Sequence, residues 1–66
     1  MIESLSLEVL SSDRYAVRFE GRPTRLVIAL SQNGSLWHVN DDDRRVGEGR
    51  CLADAKVEAL KIIRHP

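Results

Sequence analysis

The chain has 66 residues, with ten basic and ten acidic side chains and therefore a formal net charge of zero at neutral pH. A chain this short forms one domain, residues 1–66, and buries only about 60% of the surface that it exposes when unfolded. These values argue against a deep catalytic pocket and remove the simplest electrostatic case for nucleic-acid binding.

The polar inventory contains no recognisable catalytic or metal-binding set. His38, Cys51 and His65 lack the close spacing that organises a zinc site, and no nucleophile is accompanied by a base and an orienting group. We therefore expect no enzymatic activity, no metal and no cofactor. A single cysteine, no secretory signal pattern and no apolar run near the roughly 20 residues of a membrane span favour a cytoplasmic protein without a membrane partner.

Four segments alternate apolar and polar residues with the period of two that is typical of β-strands. They cover about residues 3–10, 14–20, 24–31 and 35–40. Between the third and fourth segments, Asn33-Gly34 predicts a two-residue hairpin with a type I′ turn, because both residue types tolerate positive φ. That loop pairs Leu30 with Trp37 and Ala29 with His38.

The other two connections predict a register in the same way. A three-residue loop at 11–13 pairs Leu7 with Val17, and a four-residue loop at 21–24 pairs Val17 with Ile28. All three loops place the large apolar side chains on one face of the sheet, as a single core requires. The sequence thus predicts a four-stranded antiparallel meander.

The polar, glycine-bearing segment 40–49 predicts a loop of about ten residues, and helical periodicity follows over about residues 52–64. Cys51 occupies the expected N-cap position, with Asp54 three residues later as in a capping box. The predicted fold class is α+β, with one C-terminal helix packed on one face of the sheet. Val57 and Leu60 lie partly off the apolar stripe, which indicates either a broadly buried helix or one that also touches a partner.

The opposite, open face of this sheet is the first candidate binding surface. The predicted registers give it a small apolar centre of Ala16, Val27 and Ala29, surrounded by polar residues. An apolar centre with an arginine-bearing rim is typical of protein interfaces. The candidate protein-binding residues on this face are Arg14, Ala16, Arg18, Val27, Ala29 and His38.

The acidic triplet Asp41-Asp42-Asp43 is a second candidate for protein binding. It does not match a calcium-binding loop beyond its carboxylates. A solvated loop is the simpler interpretation, although an exposed acidic cluster also suits a basic partner.

Arginines supply an alternative function on the same sheet. A nucleic-acid-binding module would use Arg14, Arg18, Arg22 and Arg25, as β-ribbon readers use strands in a groove. Acidic residues interrupt this set, and the three aromatic residues are all predicted to point into the core, where they cannot stack on bases. We therefore rank nucleic-acid binding second.

The segment from Gly47 to Leu60 resembles a recurrent bacterial strand-to-helix pattern. An aromatic strand leads through a glycine into a leucine-x-x-alanine helix, and the matching residues are Trp37, Val39, Gly49, Leu52, Ala55 and Ala59. This pattern is similar to that of HicB-like antitoxins and related small phage-type ββ(β)α proteins. The resemblance covers about the last 30 residues and implies strand-to-helix packing more than a particular role.

The residues together favour a small non-enzymatic protein-binding module. A bacterial or phage regulator or inhibitor fits this description. Its partner would be another protein or a second copy of the chain, because a core this small commonly supplies only about 3–5 kcal/mol.

Overall fold

The computed structural model describes residues 5–65, which form one antiparallel sheet of five strands and one helix. The strands follow each other in space in chain order, as a meander. The elements are β1 (Leu5–Ser11), β2 (Arg14–Phe19), β3 (Arg22–Leu30), β4 (Trp37–Asp41), β5 (Arg44–Gly49) and α1 (Leu52–Arg64). The α+β class and the C-terminal helix are confirmed, but the sheet has five strands rather than four.

Strand β5 is the element that the sequence analysis missed, because it lies within the predicted loop 40–49. Its two helix-facing positions are glycines, Gly47 opposite Val39 and Gly49 opposite Trp37, so the strand lacks the apolar alternation of its neighbours. The turn between β4 and β5 is only Asp42-Asp43, and Asp42 adopts a φ of 56°. Aspartate is one of the few residues that enter this left-handed region readily.

The glycines of β5 allow α1 to lie close to the sheet. A Cβ atom on Gly49 would lie 2.6 Å from the backbone nitrogen of Ala55. A Cβ on Gly47 would make ordinary contacts of 3.6 Å with Glu58 and Ile62. The close approach at Gly49 therefore depends on the absence of a side chain there.

The registers of two hairpins are confirmed. Leu7 pairs with Val17 between β1 and β2, and Leu30 pairs with Trp37 between β3 and β4. The predicted three-residue loop at 11–13 is instead a two-residue turn with an irregularity between Val9 and Ser11.

The predicted register between β2 and β3 is wrong by four residues next to the turn and by two residues farther from it. The turn is Glu20-Gly21 rather than 21–24, and both of its residues have positive φ, 53° and 79°, as in a type I′ turn. Phe19 therefore pairs with Arg22 at the turn, and Tyr15 pairs with Ile28 beyond the bulge in β3. Shifts of four and of two residues both keep every side chain on its predicted face, since side chains alternate with a period of two.

A bulge in β3 adjusts the register along this hairpin, between Ala16 and Arg18 of β2. The Thr24 hydroxyl donates a hydrogen bond to the Val17 carbonyl at 2.7 Å and accepts one from the Leu26 N–H at 3.2 Å. The side chain of Thr24 thereby satisfies backbone groups that the interrupted ladder leaves without strand partners.

The turn between β3 and β4 differs from the predicted type I′ hairpin, because Asn33 does not have positive φ. Gly34 does, at 74°, and its N–H donates to the Ser31 carbonyl at 3.0 Å. Asn33 instead accepts hydrogen bonds through Oδ1 from the Ser31 and Ser35 hydroxyls, each 2.7 Å away. The loop is longer than predicted, yet it ends in the predicted register.

The core lies between the sheet and α1. Its fully buried side chains come from the three central strands and the inner face of the helix: Val17, Ile28, Val39, Ala55 and Ala59. Each large apolar residue here contributes about 1.5–3 kcal/mol through burial. Helix α1 packs on β5, β4 and β3, which leaves the β1 side of the sheet less covered.

The helix has the predicted bounds and the predicted N-cap residue, but it lacks a capping hydrogen bond from that side chain. Cys51 is the N-cap residue and its side chain makes no capping hydrogen bond, while its carbonyl accepts one from the Ala55 N–H at 3.1 Å. Val57 is 51% exposed, so the helix does not bury its whole apolar surface. In the part of the chain that the structure describes, no helix has the length and apolar content needed to span a bilayer.

Candidate functional site

The open face of the sheet, on the side away from α1, has a small apolar centre. Ala16 lies directly opposite Val27, and Ala29 lies directly opposite His38. Ala16, Val27 and Ala29 are all half-buried. Their short side chains lie on two adjacent strands, Ala16 on β2 and the other two on β3, and create a flat area to which another backbone can come close.

Polar residues surround this centre in two cross-strand rows. The first row runs Arg14, Ala29, His38 and Glu48, and the second runs Glu8, Ala16, Val27, Asn40 and Arg45. Residues directly opposite on one face have Cβ atoms about 4.5–5.5 Å apart. These two rows contain five of the six open-face residues predicted from the sequence, although in different combinations, and Arg18 lies on the same face in the next row, opposite Ser6 and Pro23.

Two residues of the rim were missed because β5 was predicted as loop. Glu48 lies opposite His38, and Arg45 lies opposite Asn40. The available signal was weak: a short polar turn at 42–43 followed by residues whose helix-facing positions are glycine. With β5 included, the rim carries both acidic and basic groups on the β5 side of the apolar centre.

Arg18 is held in place by its neighbours on the sheet. Its guanidinium donates to the Gly21 carbonyl at 2.8 Å and lies 3.5 Å from the Glu8 carboxylate. Side-chain exposure is 36% for Arg18 and 57% for Glu8. Arg18 therefore contributes a fixed, partly neutralised edge to the open face rather than a free cation.

The acidic triplet is also partly neutralised, by Arg25 of β3. The Arg25 guanidinium forms an ion pair with Asp42 and lies 3.5 Å from the Asp41 carboxylate. Its pKa is raised, first by the hydrogen bond to Asp42 and then by the negative charges of Asp42 and Asp41. Asp43 is exposed in the turn. The triplet therefore lies at a tight turn, where the Arg25 guanidinium offsets part of its negative charge, rather than in an extended acidic loop.

The four arginines of the nucleic-acid alternative do not share one face. Arg14 and Arg18 lie on the open face with Ala16, whereas Arg22 pairs with Phe19, whose side belongs to the core. Arg25 and Arg18 are engaged with carboxylates. The arrangement does not form a continuous basic stripe.

The described residues contain no group of three or more histidine, cysteine, aspartate or glutamate side chains placed to hold a metal ion. Cys51 is a free, exposed thiol. The open face itself offers apolar area, hydrogen-bonding groups and charges of both signs.

Comparisons with known proteins return no match: no family model fits the chain, and no curated protein or solved structure is significantly similar to it. The similarity to HicB-like antitoxins therefore stays a prediction from the strand-to-helix pattern.

Proposed function

We propose that this protein is a small protein-binding module that acts through the open face of its sheet. Such a function fits a regulator or an inhibitor of bacterial or phage origin. The partner docks on the apolar centre of Ala16, Val27 and Ala29, and the polar rim sets its orientation.

The observation that supports this proposal most strongly is the composition of the open face. Three small apolar side chains occupy neighbouring positions on two inner strands, β2 and β3, while the charged groups lie around them. Protein interfaces combine a charge-depleted centre with a polar, arginine-bearing rim. An ordinary solvated sheet face would carry polar side chains at its centre as well.

The acidic turn is the weaker candidate surface. Arg25 already neutralises part of its charge, so a basic partner would gain less from it than the sequence suggests. Nucleic-acid binding has less support for a similar reason, since carboxylates engage two of the four arginines and a third pairs on the core side.

The proposal is tested by capturing the partner with two variants, one changed on the open face of the sheet and one changed on the helix, on the other side of the molecule. Ala29→Glu introduces a charge into the apolar centre, and Val57→Glu introduces the same charge on the exposed side of the helix. Wild-type and Val57→Glu protein should retain the same bound protein from a lysate of the source cells, and Ala29→Glu should lose at least about 90% of it, as expected for a change at the centre of an interface.

Two results would contradict the proposal. The first is equal capture by all three proteins, which would place the contact elsewhere. The second is a captured complex that disappears on nuclease treatment and weakens steeply with salt, which would indicate nucleic-acid binding. Circular dichroism of each variant establishes that loss of capture does not reflect loss of fold.

A further inference from the structure

The two edge strands of the sheet are protected to very different extents. β5 carries Arg44, Arg45 and Glu48, contains an irregularity opposite Val39 and Asn40, and lies under the helix. Charges, bulges and covering elements are the devices by which proteins keep sheet edges from pairing. β1 carries one charged residue, Glu8, between Leu5 and Ser11, and its ladder is regular from Leu5 to Val9.

The β1 edge also carries an exposed apolar side chain and a groove. Val9 is 69% exposed, the largest exposure of any large apolar residue in the described part of the chain. Leu5, at the other end of the same strand, lines a groove with four helix residues: Ala53, Lys56, Val57 and Leu60. Leu5, Leu7 and Val9 point to the same side of the sheet because they alternate along the strand.

We infer that β1 pairs with β1 of a second copy of this chain, in an antiparallel register centred on Leu7. This register places Val9 of one copy opposite Leu5 of the other, beside the groove that Leu5 lines. Each copy thereby supplies one exposed side chain and one groove, and a two-fold axis perpendicular to the sheet satisfies both at once. The sheet becomes continuous across ten strands, with both helices on the same side.

The charge on β1 favours the register centred on Leu7 over the adjacent register, which is centred on Glu8. Centring the pair on Leu7 places Glu8 opposite Ser6 of the second copy, and Ser6 is itself paired with Arg18. Each of the two symmetry-related rows across the copies then contains the Glu8 carboxylate of one copy and the Arg18 guanidinium of the other, without like charges opposite each other. Centring the pair on Glu8 would oppose two carboxylates directly, which destabilises a strand pair.

The first test is the mass in solution, measured by light scattering after size exclusion over a range of about 5–500 µM, where small interfaces associate. Wild type should approach twice the mass of the chain at the upper end. Val9→Lys should remain at the mass of one chain, and Val46→Lys, which places the same charge on the exposed valine of β5, should behave as wild type. A monomeric wild type, or equal loss in both variants, would overturn the inference.

The second test fixes the register by cross-linking on the open face, in a Cys51→Ser background that removes the native thiol. Ser6 and Glu8 are both exposed and would lie opposite each other across the two copies. Ser6→Cys and Glu8→Cys proteins should form a disulfide-linked dimer when mixed under mild oxidation, while each alone should cross-link at least about tenfold less, since only opposed positions meet disulfide geometry. Stronger cross-linking within either single variant would contradict the register.

This inference does not depend on the open-face partner. Ala29 lies on β3, which β2 separates from β1, so Ala29→Glu should leave the dimer mass unchanged. Loss of partner capture with an intact dimer, or the reverse, distinguishes the two proposals.

Discussion

Replacing Gly49 tests how closely the helix must approach β5. In Gly49→Ala the added Cβ would lie 2.6 Å from the Ala55 nitrogen and 2.8 Å from the Asp54 Cβ. The contacted atoms are backbone atoms of α1 and the Cβ of Asp54, so no flexible end of a side chain can move aside. Either α1 shifts or β5 does, and overpacking of this kind costs about 1–3 kcal/mol.

That cost is a large part of the stability of so small a domain, about 3–5 kcal/mol. With a urea m value of about 1 kcal/mol/M, the midpoint of Gly49→Ala should fall by about 1–3 M. The fluorescence of Trp37, the only tryptophan, is a suitable probe because this residue lies opposite Gly49.

Gly47→Ala is the matched control on the same strand and face. Its Cβ would make contacts of 3.6–3.7 Å with Glu58, Ile62 and Val39, which are ordinary van der Waals distances. Replacing this glycine should therefore be neutral or stabilise by about 0.5–1 kcal/mol, through the lower entropy of the unfolded chain. Equal midpoints for Gly49→Ala and wild type, or an equal loss in Gly47→Ala, would refute the packing argument.

Three further changes test the turn and core geometry by urea unfolding. Thr24→Val removes the hydroxyl that bonds Val17 and Leu26 and should cost about 1–3 kcal/mol, whereas Thr24→Ser should retain most of the stability; equal losses would show that the hydroxyl is not responsible. Glu20→Asn should stabilise by up to about 1 kcal/mol because asparagine tolerates the φ of 53° better, and a lower midpoint would contradict this. Ile28→Val, at a fully buried site, should cost about 0.5–1.5 kcal/mol, and no measurable loss would place this residue outside the core.

Most of the fold follows from alternation and helical period, and the exceptions have specific physical causes. β5 was missed because Gly47 and Gly49 replace the apolar side chains that normally mark a strand, and their role appears only once the helix is placed. The register at Glu20-Gly21 was missed because a glutamate at positive φ is uncommon. Sequence patterns identify residues that favour a turn, but here the hairpin between β2 and β3 places Glu20 in a left-handed conformation that glutamate does not favour.

The residues predicted for the open face lie on that face, although the register used to predict them was partly wrong. The register error between β2 and β3 was four residues at the turn and two beyond the bulge, both even numbers, so Arg14, Ala16 and Val27 kept their side of the sheet. Glu48 and Arg45 could not be placed without β5. The groove at Leu5 and the exposed Val9 were likewise missed, because the path of the helix across the sheet depends on the glycines of β5.

The most direct test of the proposed function is a map of the bound surface by nuclear magnetic resonance. The labelled protein is titrated with the purified captured partner, and the shift of each backbone amide is followed. The proposal predicts the largest changes at Ala16, Val27 and Ala29, with α1 little affected. Changes concentrated on α1 or on the 41–43 turn, with the open-face amides unmoved, would contradict it.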